Sequence, residues 1–225
     1  MRFVRLLIKA AVIFLPWPLR RRILIATFGY QIHPSARIRL SWVYPRMLVM
    51  GAHSKIGPFV VAVNLDLVTL GHHSSIGRRN WITGFPTGTS SPHFADQLDR
   101  RSELIVGDHS AITKNHHLDC TSSIVIGNFV TIAGYHSQLL THSVDIAACR
   151  QASSPITIGD YSFVGTKTVI LGGASLPAYS VLGASSLLNK AFDQTYQLYA
   201  GVPANAVKPL PEDSKYFTRD VGFIV

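Results

Sequence analysis

The sequence predicts an all-β solenoid, a chain wound into short parallel strands joined by tight corners. Three observations predict it. Between Ile158 and Leu188 an aliphatic residue recurs at every sixth position: Ile158, Val164, Ile170, Leu176, Leu182 and Leu188. A small residue stands four positions after each of the first five, at Ser162, Thr168, Ala174, Ser180 and Ser186, and glycine directly follows three of the aliphatics, at Gly159, Gly165 and Gly183. The same grammar runs upstream with interruptions, in Met50/Ser54, Ile56/Val60, Leu70/Ser74, Ile76/Asn80, Val106/Ser110, Leu118/Ser122 and Ile126/Val130. A helix repeats near 3.6 residues and a strand at 2, so a period of six fits neither alone. One short strand plus one corner per hexapeptide does fit, with stacked coils burying one aliphatic column on each face.

The 225 residues read as one elongated domain with appendages. Residues 1–31 form a basic, apolar N-terminal element, one or two short helices broken at Pro16 and Pro18. Its apolar run is interrupted by Lys9 and ends at Pro16, short of the roughly 20 apolar residues of a spanning helix. No small-x-small cleavage site follows it. Ten of the 21 basic residues precede Asp66, the first acidic one, leaving 11 against 12 acidic residues in the remainder. The formal charge of +9 is therefore an N-terminal feature. Two readings of the element stand: an amphipathic segment on an anionic membrane surface, with Phe14 and Trp17 at the boundary, or a cap over the open end of the solenoid. The basic stretch carries no nucleic-acid-binding motif, and no nucleic-acid partner is expected.

Residues 32–190 form the solenoid. Two stretches leave the pattern, near 83–105 and at 144–155, and long loops on a rigid scaffold tend to carry the site. Residues 191–225 are an aromatic-rich tail expected to pack on the last coils. Two cysteines, Cys120 and Cys149, make no disulfide framework. The expected setting is cytoplasmic, with peripheral contact at the inner face of a membrane under the first reading of residues 1–31.

At three corners histidine replaces the small residue: His116 after Ile112, His136 after Ile132 and His142 after Gln138. Allowing a two-residue slip between Leu118 and Ile126, His116 and His136 fall on the same corner of successive coils, about 4.8 Å apart, and His142 on the next. A neutral imidazole can take a proton from a hydroxyl near pH 7. A single histidine chosen blindly is more often structural, so the clustering is what singles these out.

The repeat resembles that of the hexapeptide-repeat acyltransferases, which are left-handed parallel β-helices. The left hand is implied by that resemblance alone, since the usual crossover rule gives a right hand. "LTHSVDIAACRQASSPITIGDYSFVGT" is similar to a segment of maltose- and galactoside-type and surface-polysaccharide O-acetyltransferases, in which a Thr-His precedes a short loop, an arginine and Pro-Ile-Thr-Ile-Gly. The similarity runs from about Val106 to Pro209, where "GVPANAVK" matches a Gly-Val-Pro-Ala element. It implies that His142 is the general base and that Arg150 and Pro155–Gly159 match as well. It also implies that His116 and Asp119, one coil below, orient His142 or bind the acceptor. Asp119 can equally cap its own turn. Coenzyme A contacts are implied at Thr166, Ala184, Lys190 and Lys208, although the family's "GAGSVVTKD" reads "GASSLLNKA" here. The implied donor is acetyl-CoA, with no metal. The implied acceptor is a sugar or glycan, and the implied assembly is a homotrimer with sites between chains; the loop Thr83–Leu104 with His93 is, on its position as an insertion, the expected acceptor wall.

Two other readings use the same solenoid. A γ-type carbonic anhydrase, which binds zinc at a subunit interface, would need three of His72, His116, His117, His136 and His142 to converge there. A catalytically inert trimeric scaffold would bind no coenzyme A.

Overall fold

The computed structural model describes residues 8–222 and 224. Its body is a three-faced helix of parallel strands whose order across each face follows the order in sequence. Face one runs from Gln31–Ile32 to Ser175–Leu176, face two from Arg37–Ile38 to Val181–Leu182, and face three from Trp42–Tyr44 to Leu187–Leu188. Each two- to four-residue strand turns an aliphatic residue inward, and all six of Ile158, Val164, Ile170, Leu176, Leu182 and Leu188 are buried.

The small residue of each hexapeptide sits inside a corner and ties coil to coil. Ser110 Oγ donates to the Gly127 carbonyl at 2.7 Å and accepts from the Val130 N–H at 2.9 Å, while Ser74 Oγ accepts from the Ser110 N–H at 3.0 Å. Asn80 and His116 do the same work at their corners, accepting the N–H of His116 and of Ser137, and a buried N–H without a partner would be costly. The glycine after the aliphatic answers to close approach: a Cβ at Gly159 would lie 2.3 Å from the backbone nitrogen of Ala178.

The ends are closed differently. Pro16 and Pro18 flank the start of the helix Trp17–Phe28, and Gly29 ends it at φ 71°, with its N–H on the Ile25 carbonyl at 3.0 Å. The helix lies over the first coil, with Leu24 buried in the core. Arg20, only 3 % exposed, donates to the carbonyls of Arg39 and Ser41, both at 2.9 Å. Arg21 donates to the Ile32 carbonyl. These contacts serve carbonyls at the strand edge the first coil would otherwise leave open. Arg2 and Arg5 of the N-terminal element lie outside the described residues. No described helix is long and apolar enough to cross a membrane.

At the other end Gln197–Gly201 pairs with Val181–Leu182 and with the antiparallel Ala204–Pro209. The tail then turns back along the corner between faces one and two. Phe217 packs on Tyr179 and Tyr196 at the last coils, and beyond it Arg219 donates to the Phe129 carbonyl and the Gly222 N–H reaches His109 Nδ1 at 3.3 Å, several coils back.

Both insertions leave from the corner between faces three and one. Residues 84–102 follow the strand Trp81–Thr83, and an antiparallel hairpin, His142–Asp145 with Arg150–Ser153, follows Gln138–Leu140. The second stretch is thus a paired hairpin rather than an open loop. The two insertions join through Ser153 Oγ donating to Gln97 Oε1 at 2.6 Å and an Arg150–Asp96 ion pair at 3.0 Å.

Candidate active site

Asp119 ends the strand His117–Asp119 on face three, and Leu140 is its register partner on the next coil. Two residues further, at the root of the hairpin, His142 faces it. His142 Nδ1 lies 2.5 Å from Asp119 Oδ2, which also accepts the His142 backbone N–H at 3.2 Å. The other oxygen, Oδ1, accepts from the Thr121 N–H at 3.1 Å and from Thr121 Oγ1 at 2.7 Å. The carboxylate therefore both caps its own turn and holds the imidazole. A carboxylate accepts only, so the ring proton sits on Nδ1 and the Nε2 lone pair is left for chemistry.

Asp119 is buried while the His142 side chain is 45 % exposed, so a fixed carboxylate supports a reachable ring. Thr141 sets the root: its hydroxyl donates to the Asp119 carbonyl at 2.7 Å and accepts from the Ser122 N–H at 2.9 Å. Phe94, from the first insertion, meets the His142 ring edge to face at 6.3 Å. Arg100 lies against Phe94 at 4.8 Å and donates to the carbonyls of Phe85 and Thr121, both at 2.5 Å, pinning that insertion to the coil below. Between the insertions opens a cleft of about 480 Å³ walled by His93, Phe94, Asp96, Val144, Cys149 and Arg150.

His116 does not join this site. It is buried where face two turns to face three; its Nδ1 accepts the Ser137 N–H at 3.1 Å and its Nε2 bonds Thr113 Oγ1 at 3.0 Å, so both ring nitrogens are occupied. Burial, and then the charge of His136, lower its pKa from 6.5 to about 4. Nor do His116 and His136 share a column. Ala111 pairs with Thr131 but His117 with Gln138, so the corner after Ile132 holds one extra residue and His136, exposed at φ 61°, stacks over Asn115. His142 is likewise not a corner residue: Leu139, not Gln138, is the inward side chain of its coil, and Thr141 fills the corner.

Thr166 and Ala184 lie on adjacent coils of the corner between faces two and three, close enough that a Cβ at Gly165 would meet the Ala184 nitrogen at 2.6 Å. The Thr166 hydroxyl is committed to Tyr135, accepting from its N–H at 3.1 Å and donating to its carbonyl at 3.0 Å. Lys190 is exposed beyond the last strand of face three, 5.1 Å from the Phe192 ring centroid, and Lys208 is exposed on Ala204–Pro209. Thus Thr166 and Ala184 form one ledge and the two lysines stand apart from it. The histidines weighed as zinc ligands do not converge within the chain: among the described residues no group of three or more His, Cys, Asp or Glu side chains could hold a metal ion.

No protein-family model matches the sequence, and neither does any curated protein. Solved structures do. A polysialic acid O-acetyltransferase, OatWY, aligns at 17 % identity over 80 % of this chain and 84 % of that chain, with a TM-score of 0.55. A hexapeptide-repeat-containing acetyltransferase from Vibrio cholerae aligns at 21 % identity over 91 % and 87 %, with a TM-score of 0.53. The fold is the hexapeptide-repeat left-handed β-helix. A mutant of AntD, an N-acyltransferase from Bacillus cereus in complex with dTDP-4-amino-4,6-dideoxyglucose and coenzyme A, has the same β-helix at 13 % identity over 85 % and 89 %, with a TM-score of 0.59.

Phe94, Arg100, Thr121 and Gln97 are the site residues that sequence reading missed. Thr121 had a local signal, since an Asp two residues before a Thr is turn chemistry. Phe94 and Gln97 act through contacts to the second insertion and Arg100 through contacts within the first insertion and to the coil, for all of which the repeat gives no register.

Proposed function

We propose that this chain is an acetyl-CoA-dependent O-acyltransferase acting on a hydroxyl of a sugar or glycan, with His142 as general base and Asp119 as its positioning residue. The observation that carries the reading is the Asp119–His142 pair: a buried, doubly anchored carboxylate 2.5 Å from Nδ1 of a half-exposed imidazole beside a cleft. The β-helix, shared with acetyltransferases and with an N-acyltransferase solved with coenzyme A and a nucleotide sugar, supports the donor and the acceptor class.

Bound acetyl-CoA supplies an acyl group already activated as a thioester. His142 Nε2 takes the proton of the acceptor hydroxyl as that oxygen bonds to the carbonyl carbon, and the ring returns the proton to sulfur as the carbon–sulfur bond breaks. Asp119 keeps the ring in the tautomer with Nε2 free and offsets the positive charge it gains. Arg150, Asp96 and His93 line the acceptor side of the cleft. Thr166 and Ala184 offer backbone for the pantetheine arm, and Lys190 and Lys208 offer cations for the nucleotide phosphates. The active unit is a homotrimer in which a neighbouring chain completes each site.

The test is release of free thiol from acetyl-CoA in the presence of a saccharide panel. His142→Ala should lower turnover about 10²- to 10⁴-fold with acetyl-CoA binding retained; turnover near that of the unaltered protein would overturn the assignment.

A further inference from the structure

A cavity of about 840 Å³ lies away from His142, between the N-terminal helix and the outer side of face two. Its walls divide by chemistry. Ile13, Leu15, Trp17 and Leu40 line it together with Arg20, whose guanidinium is committed to the Arg39 and Ser41 carbonyls, and Arg37, Arg39, Lys55, Arg78 and Lys114 line it along the first four coils. No acidic residue lines it, and none precedes Asp66 in the chain. Among the described residues none of these five cations makes an ion pair, although Arg46 and Arg150 both do. Arg37, Arg39, Lys55 and Arg78 are exposed.

Five like charges on one concave wall repel one another, and a bound anion relieves that repulsion. The apolar end would remain wet unless an apolar group filled it. We propose that this groove binds a single lipid phosphate, its phosphoryl head among the five cations and its chain along Ile13, Leu15, Trp17 and Leu40. Guanidinium groups suit a phosphate in geometry as well as charge. The cavity lies in the size range of small-molecule sites, and its concavity favours one enclosed amphiphile over the flat surface of a bilayer. The chain's own first residues are poor occupants, because Arg2 and Arg5 would add to the same charge.

The proposal is independent of the acyltransfer reading, and its test needs no acetyl-CoA turnover. Dodecyl phosphate, kept below micelle formation, is titrated calorimetrically into the full-length protein, with inorganic phosphate and dodecyl maltoside as separate arms. Saturable binding of dodecyl phosphate near one per chain is expected, at least about tenfold tighter than either control. The double variant Lys55→Ala/Arg78→Ala should weaken it about tenfold or more, and Leu40→Ser should weaken it without changing the thermal melt. Equal binding of inorganic phosphate would reduce the groove to a free-anion site, and equal binding of dodecyl maltoside to an apolar crevice; either overturns the proposal. So would displacement of dodecyl phosphate by coenzyme A, which would assign the cations to the nucleotide. A changed oligomeric state in the cation variants would mean that a second copy of the chain covers this face, and a folded protein that binds none of the probes would also overturn it.

Discussion

His142 and His116 are the same side chain on neighbouring coils, and their surroundings give them opposite chemistry. Asp119 leaves His142 one reachable nitrogen, whereas Ser137 and Thr113 occupy both nitrogens of His116. Asp119→Asn should keep the fold and lower turnover, though less than His142→Ala, and should shift the acid limb of the rate–pH profile; an unchanged profile would remove Asp119 from the mechanism. For His116 the folded pKa of about 4 lies below the value of 6.5 in the unfolded chain. The unfolded chain therefore binds more protons between those values, and stability falls as pH drops from about 6.5 to about 4. The full effect is on the order of 3 kcal/mol. His116→Gln should flatten that part of the stability–pH curve in denaturant titrations. The motif around His142 was legible because its residues are close in sequence. His136 was misplaced because counting by six cannot see the extra residue after Ile132, which moves it off the column of His116.

Among the elements, the repeat was readable wherever one strand and one corner fill six residues, and unreadable where the chain leaves the coil. The two insertions are held by contacts that no period encodes, chiefly Arg100 beneath Phe94 and Ser153 on Gln97. Arg100→Ala removes three hydrogen bonds, to the carbonyls of Phe85, Thr121 and Pro86, and a guanidinium from an aromatic face. We expect faster proteolysis within residues 84–102 and a raised KM for the acceptor, with the thermal melt little changed; an unaltered KM would mean that the insertion does not wall the acceptor. One column went unread although its signal is in the chain. His53, His73, His109, Phe129, Tyr161, Tyr179 and Tyr196 stack ring on ring along the corner between faces one and two, with centroid spacings from 4.6 to 5.3 Å. Each takes a positive φ that a bulky side chain ordinarily avoids. Stacking at the coil spacing offsets that strain. The sequence shows the column as a glycine two positions before the ring at Gly51, Gly71, Gly107, Gly127 and Gly159.

Across the whole molecule, charge and chemistry are separated. The cations that precede Asp66 gather near the helix-capped end, and the Asp119–His142 pair lies at another corner further along the coil. Composition made the basic end legible and left its job open between cap and membrane contact. The described part of that end is a cap because Arg20 and Arg21 meet coil carbonyls and Leu24 enters the core. The ledge of Thr166 and Ala184 lies nearer the opposite end, and Lys190 and Lys208 stand apart from it. Calorimetric titration of the folded protein with acetyl-CoA tests the central claim most directly, since it requires no knowledge of the acceptor. The account predicts saturable binding at about one site per chain, weakened by Lys190→Ala and retained by His142→Ala; a folded protein that takes up no acetyl-CoA would contradict it.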